Sequence, residues 1–114
     1  MQAIRKKQVR ILQNAEFIAE RLSERRVKDN ELEKVISVLK MKAEKNPENA
    51  LSELRKLLTR FTETKHFSRS NSIKGYYRTI ESVLKAKEYS FANAKEAIET
   101  LGWARRLLRY KARR

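Results

Sequence analysis

LEKVISVLKMKAEKNPENALSELRKLLTRF, residues 32–61, decides the fold of this chain. Leu32, Val35, Ile36, Leu39 and Ala43 recur at three- and four-residue intervals, which places them on one face of an α-helix. Asn46-Pro47 interrupts the run. Asn46 is expected to cap a new helix and Pro47 to take its first position, where the missing N–H is not needed. A second apolar face then begins, with Leu51, Leu54, Leu57, Leu58 and Phe61 inward. Two amphipathic helices joined by a tight turn make a helical hairpin, and a hairpin of this kind needs further helices to cover it.

Those helices are found on both sides. Upstream, Ile4, Ile11, Ala15, Ile18 and Leu22 form a narrow seam, widened by Leu12 and Ala19, within a helix expected over about residues 3–27. VKDNELE (27–33) ends it. There Asp29 or Asn30 can accept from the free amides of the next helix, and Asn30 with Glu33 approximates a capping box. Downstream, Ile73, Tyr77, Ile80 and Leu84 mark a fourth helix that closes at Tyr89-Ser90. Ser90 is then the expected cap of a fifth, bearing Ala94, Ile98, Leu101, Ala104 and Leu108. Strand-like alternation is absent, and two Gly and one Pro leave few sharp turns. The expected fold is all-α: one domain over residues 1–114, a bundle of about five antiparallel helices, with the final KARR frayed.

Several functions are disfavoured by what the chain lacks. Without Cys there is neither a disulfide nor a cysteine-based zinc site. No apolar run approaches the ~18 residues of a membrane span, and MQAIRKKQVRIL has no uninterrupted signal-peptide core, so a cytoplasmic protein is expected. His66 is the lone histidine, in an expected loop, and no HExxH, glycine-rich phosphate loop or calcium loop occurs. Glu31/Glu33 and Glu96/Glu99 lie among helical charges and read as solvated faces. Catalysis needs converging acid–base or metal groups, so no enzyme, cofactor or metal is expected.

Positive charge is the dominant global feature: 28 Lys and Arg against 14 Asp and Glu, net +14. Enrichment in ion pairs for thermal stability predicts near balance between the signs. A twofold excess of bases instead repels itself unless a polyanion relieves it. The excess is also organised. Arg5, Lys6, Lys7 and Arg10 occupy a first stretch without acids, and Arg105, Arg106, Arg109, Lys111, Arg113 and Arg114 a last one. KHFSRSNSIKGYYR (65–78) is the third, with Lys65, Arg69, Lys74 and Arg78 among Ser, Asn and aromatic residues. This stretch reads as a polar interhelical loop with Tyr77 and Phe67 on the core, and also as a loop and helix start that contact phosphate. Gly75 would admit a close backbone approach there. Tyr76, Trp103 and Tyr110 are candidates for base stacking or for an interface, with partial burial of Trp103 as the alternative. Gly102, inside a helix, is expected to mark a close helix crossing. No side-chain set looks chosen to read base edges, so backbone binding without sequence specificity is the expectation.

A small, basic, cysteine-free helical chain with YYRTIESVLK followed by LGWARRLLRY resembles the small subunits of CRISPR RNA-guided effector complexes, of type III-A and several type I systems. The resemblance implies a helical bundle that stacks on copies of itself and on other protein subunits, in antiviral defence, and lines a groove for target RNA or displaced DNA. It implies no catalytic residues. Rival readings are a helical adaptor whose basic face meets an acidic protein, and a ribosome- or chromosome-associated basic protein.

Overall fold

The computed structural model describes the backbone of residues 2–63, 71–86, 91 and 93–112, and side chains within 6–62, 75–86, 91 and 93–111. Among the described residues the chain forms five α-helices and no strand: α1 Gln2–Glu24, α2 Asp29–Lys45, α3 Ala50–Glu63, α4 Asn71–Lys85 and α5 Ala94–Ala112. The apolar faces meet as expected. Ala15, Ile18 and Leu22 of α1, Leu32, Val35 and Leu39 of α2, Leu54 and Leu58 of α3, Ile80 and Leu84 of α4, and Leu101, Ala104 and Leu108 of α5 share one core. Leu12 and Leu57, expected inward, are exposed. Each lies at the margin of its helix's apolar arc. The side chains of Ile4 and Ile73 lie outside the described residues.

Consecutive helices reverse direction. Arg55 of α3 meets the end of α4 while Phe61 meets Tyr77 near its start. Asp29 and Glu33, at the beginning of α2, face Arg109 and Arg105 near the end of α5. An odd number of alternating helices makes the first and last run the same way. Arg10 of α1 accordingly meets Glu96 at the start of α5, and Ser23 shares a cleft with Leu108 and Arg109 near its end. Helix α5 packs most extensively on α1 and α2 together, and α3 packs chiefly on α4. One end of the bundle therefore gathers the close of α1 and the starts of α2 and α4, together with the close of α5.

The helix ends depart from their sequence signatures. Helix α2 starts at Asp29 behind Lys28, with no side-chain cap. Asp29 and Glu31 in its first turn instead offset the helix dipole. Asn46-Pro47 does not open α3: residues 47–49 form a turn and α3 begins at Ala50. Asn46 closes α2, its N–H reaching the Lys42 carbonyl. Ser90 lies outside the described residues, and the cap of α5 is Asn93, whose Oδ1 accepts from the Glu96 N–H at 2.8 Å. Arg55 donates Nε and Nη2 to the Leu84 carbonyl (3.0 and 2.7 Å), occupying one of the free carbonyls that end α4.

Candidate nucleic-acid interface

The close of α1 is built around an arginine in an unusual conformation. Val27 N–H reaches the Leu22 carbonyl at 2.9 Å and Arg26 N–H the Ser23 carbonyl at 3.0 Å, the paired bonds of a Schellman C-cap. Such a cap puts its penultimate residue in the left-handed region, a position that favours glycine. Here Arg26 occupies it, with φ 56°. Leu22 and Val27, both buried, form the apolar contact that closes the motif. The sequence SERRVKD therefore turns sharply and presents Arg25, Arg26 and Lys28 on the surface. Sequence reasoning passed over these three, because glutamates interleave with bases along α1 and the left-handed residue carries no glycine signal.

Two blocks singled out from sequence converge on this turn. Arg25 and Arg26 line a cleft of about 380 Å³ with Gly75, Tyr76 and Thr79 of α4, and none of its described lining residues is a carboxylate. Arg78 is exposed a turn further along α4. The first turn of α4 holds no acid, so the positive end of its dipole is not offset by its own side chains. Arg26 also lines a second cleft, of about 660 Å³, with Lys28 and with Leu108 and Arg109 of α5, although Asp29 and Glu33 share it. Arg25, Arg26, Lys28 and Arg78 form no ion pair with any described residue.

The α5 block is free of acids in sequence but not in space. Glu33 of α2 lies 3.5 Å from Arg105 Nη2, and Asp29 lies 3.6 Å from Arg109 Nε. Arg105 Nε is buried with no described partner. Arg106 stacks over the Trp103 ring at 4.9 Å, a cation–π pair on an indole that is 43% exposed. Tyr110 is also exposed, and Tyr76 half-buried. Trp103 and Arg106 border a groove of about 340 Å³ between α2 and α5. Gly102 lies in it, and a Cβ there would meet nothing within 4 Å. The expected close helix crossing at Gly102 is absent, because α5 turns this face to the open groove.

Searches against protein-family models, curated proteins and solved structures return no match.

The α1 block stands apart. Lys6 and Lys7 are exposed, but they lie near the other end of α1, about 25 Å from Glu24 at the helical rise of ~1.5 Å per residue. Arg10 is engaged: its Nε and Nη2 both donate to Glu96 Oε1, at 3.1 and 2.6 Å. Lys65 and Arg69 lie outside the described residues, as do the side chains of Arg5 and Lys74. Of the three blocks, then, the α4 start and the α5 end share one end of the bundle with the overlooked turn.

Two of the four carboxylates expected on solvated faces are buried. Glu96 accepts from Arg10, and Glu31 accepts from Lys34 Nζ at 3.3 Å and from the Tyr77 hydroxyl at 2.7 Å. Arg10 reaching across from α1 to Glu96, and the Tyr77 hydroxyl of α4 beside Lys34 at Glu31, make that burial tolerable. The two cross-helix partners are unseen in a local charge pattern. Burial, and then the Glu31 carboxylate it faces, push the Tyr77 hydroxyl well above the ordinary tyrosine range. The edge of the Phe61–Tyr77 ring pair, centroids 4.7 Å apart, packs the same side chain. Tyr77 is thus a packing residue of the core margin. No group of three or more His, Asp or Glu suited to a metal occurs among the described residues.

Proposed function

We propose that this chain is a non-enzymatic subunit of a larger ribonucleoprotein. In this reading it holds single-stranded RNA or DNA by the phosphate backbone without sequence specificity. The observation that carries the reading is the placing of Arg25, Arg26, Lys28 and Arg78 at one bundle end, none in an ion pair with a described residue, with Arg25 and Arg26 lining a cleft whose described lining holds no carboxylate. A net charge of +14 supplies the long-range attraction, and Trp103 with Arg106 offers a partly exposed π surface on a neighbouring face. The lack of a base-reading motif in the sequence favours contacts to phosphate over readout of sequence. The resemblance to small subunits of CRISPR effector complexes supports the same class of partner, with other protein subunits and copies of this chain as neighbours.

Titration of labelled single-stranded RNA and DNA of mixed sequence across a salt series tests this. With roughly five phosphates neutralised, log affinity falls against log salt with a slope near −3.5. A slope near zero, or binding restricted to one sequence, overturns the reading.

A further inference from the structure

We propose that the turn between α1 and α2 is a phosphate clamp, in which Arg25 and Arg26 hold a phosphodiester of single-stranded nucleic acid over the open floor at Gly75. The proposal rests on the nucleic-acid reading above and names the residues that make its central contact.

Arg26 is the strained residue of this turn. Its left-handed conformation crowds the Cβ against the following carbonyl, which is why glycine usually fills this position. Nothing in the cap requires an arginine. The two closing hydrogen bonds are made by backbone, and the apolar closure is made by Leu22 and Val27. The fold would therefore be served as well or better by glycine. An arginine held where the backbone resists it points to a role for its side chain outside folding.

Position supports that role. Arg26 borders both clefts at this end, the one toward α4 and the one toward α5. Arg25 lines the α4 cleft beside it, and neither guanidinium meets a carboxylate among the described residues. Paired guanidinium forks suit the two free oxygens of a phosphodiester. Across the cleft, a Cβ at Gly75 would meet nothing within 4 Å, so a backbone can approach α4 there. Tyr76, half-buried on the same wall, adds a hydroxyl or a ring edge. The chemistry this recognises is a chain of phosphodiesters, each charge shared between neighbouring arginines.

The test separates charge from backbone strain. Arg26→Gly, Arg26→Ala and Arg26→Lys are compared with wild type by thermal melting and by salt titration of labelled single-stranded RNA. Arg26→Gly is expected to melt several degrees higher, because strain is relieved. It should also bind about fivefold more weakly at ~0.1 M salt, with a slope shallower by about 0.7. Arg26→Ala should lose the same affinity without the gain in melting temperature, and Arg26→Lys should stay within about twofold of wild type in affinity. If wild type binds with a steep salt slope but Arg26→Gly matches it in affinity and slope, the clamp is overturned and the general reading stands. If wild type does not bind at all, both fall. An Arg26→Gly protein that melts below wild type shows that the arginine serves the fold, and the inference fails on that ground.

Discussion

Arg10 reaches from the first half of α1 to the first turn of α5 and grips one oxygen of Glu96 with both Nε and Nη2. The carboxylate side chain is 1% exposed and the arginine side chain 54%, so the pair is a buried anion plugged by a surface cation. Glu96 also stands in the first turn of α5, where the helix dipole favours a negative charge. Arg10→Gln removes the cation that faces this buried anion, and we expect a loss of about 2–3 kcal/mol in urea unfolding. Lys6→Gln and Lys7→Gln, exposed on the same helix, should each stay within about 0.5 kcal/mol of wild type. Equal stability of the Arg10 and Lys6 variants would show that the pair contributes nothing.

Tyr77 makes a prediction in pH. Its hydroxyl is held protonated in the folded chain, while the unfolded residue titrates near pH 10. Above that value the unfolded state releases a proton that the folded state keeps, so stability is intact below about pH 10 and declines as pH rises beyond it. Tyr77→Phe removes this component. Its unfolding free energy should fall less steeply with pH than that of wild type above ~10, and near neutrality it should be lower by about 1 kcal/mol, since Glu31 loses a donor. Parallel profiles for the two proteins at high pH would contradict the assignment.

The two glycines should behave alike in folding and differently in binding. Both lie in helix interiors, and a Cβ at either would meet nothing within 4 Å. Gly75→Ala and Gly102→Ala are each expected to stabilise the fold by about 0.5–1 kcal/mol. Gly75 floors the cleft beside Arg25 and Arg26, so only Gly75→Ala should weaken single-stranded RNA binding. Loss of affinity in Gly102→Ala alone would move the binding surface to the α2/α5 groove.

Charge reversal tests the acid-free stretch before and within α4. Replacing Arg69, Lys74 and Arg78 together with Glu should lower the salt slope by about 2 and cut affinity by orders of magnitude at low salt. The matched control reverses Lys40, Lys45 and Lys56, which are exposed and form no ion pair with a described residue. Both triple variants lose the same net charge. Should they bind equally, the attraction is global and the bundle end holds no local site.

How far the sequence could be read depended on the range of the forces involved. Helical periodicity is local, and it located all five helices and most of the core, including Ile18, Leu39 and Leu101. Caps were less legible, because Lys28 begins a helix without a capping side chain while Asn46-Pro47 offers the signature and forms a turn. Ion pairing across the chain was the hardest. The stretch around Arg105 and Arg109 contains no acid, yet α2 supplies Glu33 and Asp29. Conversely, Arg25 and Arg26 follow Glu24 directly and looked balanced, but the left-handed turn sets them in a cleft whose described lining holds no carboxylate.

The position of α5 between α1 and α2 also dictates an order of events. Arg10 and Glu96 lie 86 residues apart, whereas the Arg55–Leu84 contact spans 29. Closing the longer loop costs more entropy, so the α3–α4 hairpin can form while α1 and α2 still await their shared partner. During synthesis the apolar seam of α1, from Ile11 to Leu22, stays largely uncovered until residues 94–108 have emerged, since α4 covers only a small part of it. A nascent chain stalled before Ala94 would present a basic, sticky helix to the ribosome and its RNA, which makes this stage of biogenesis the one at which the protein most needs shielding.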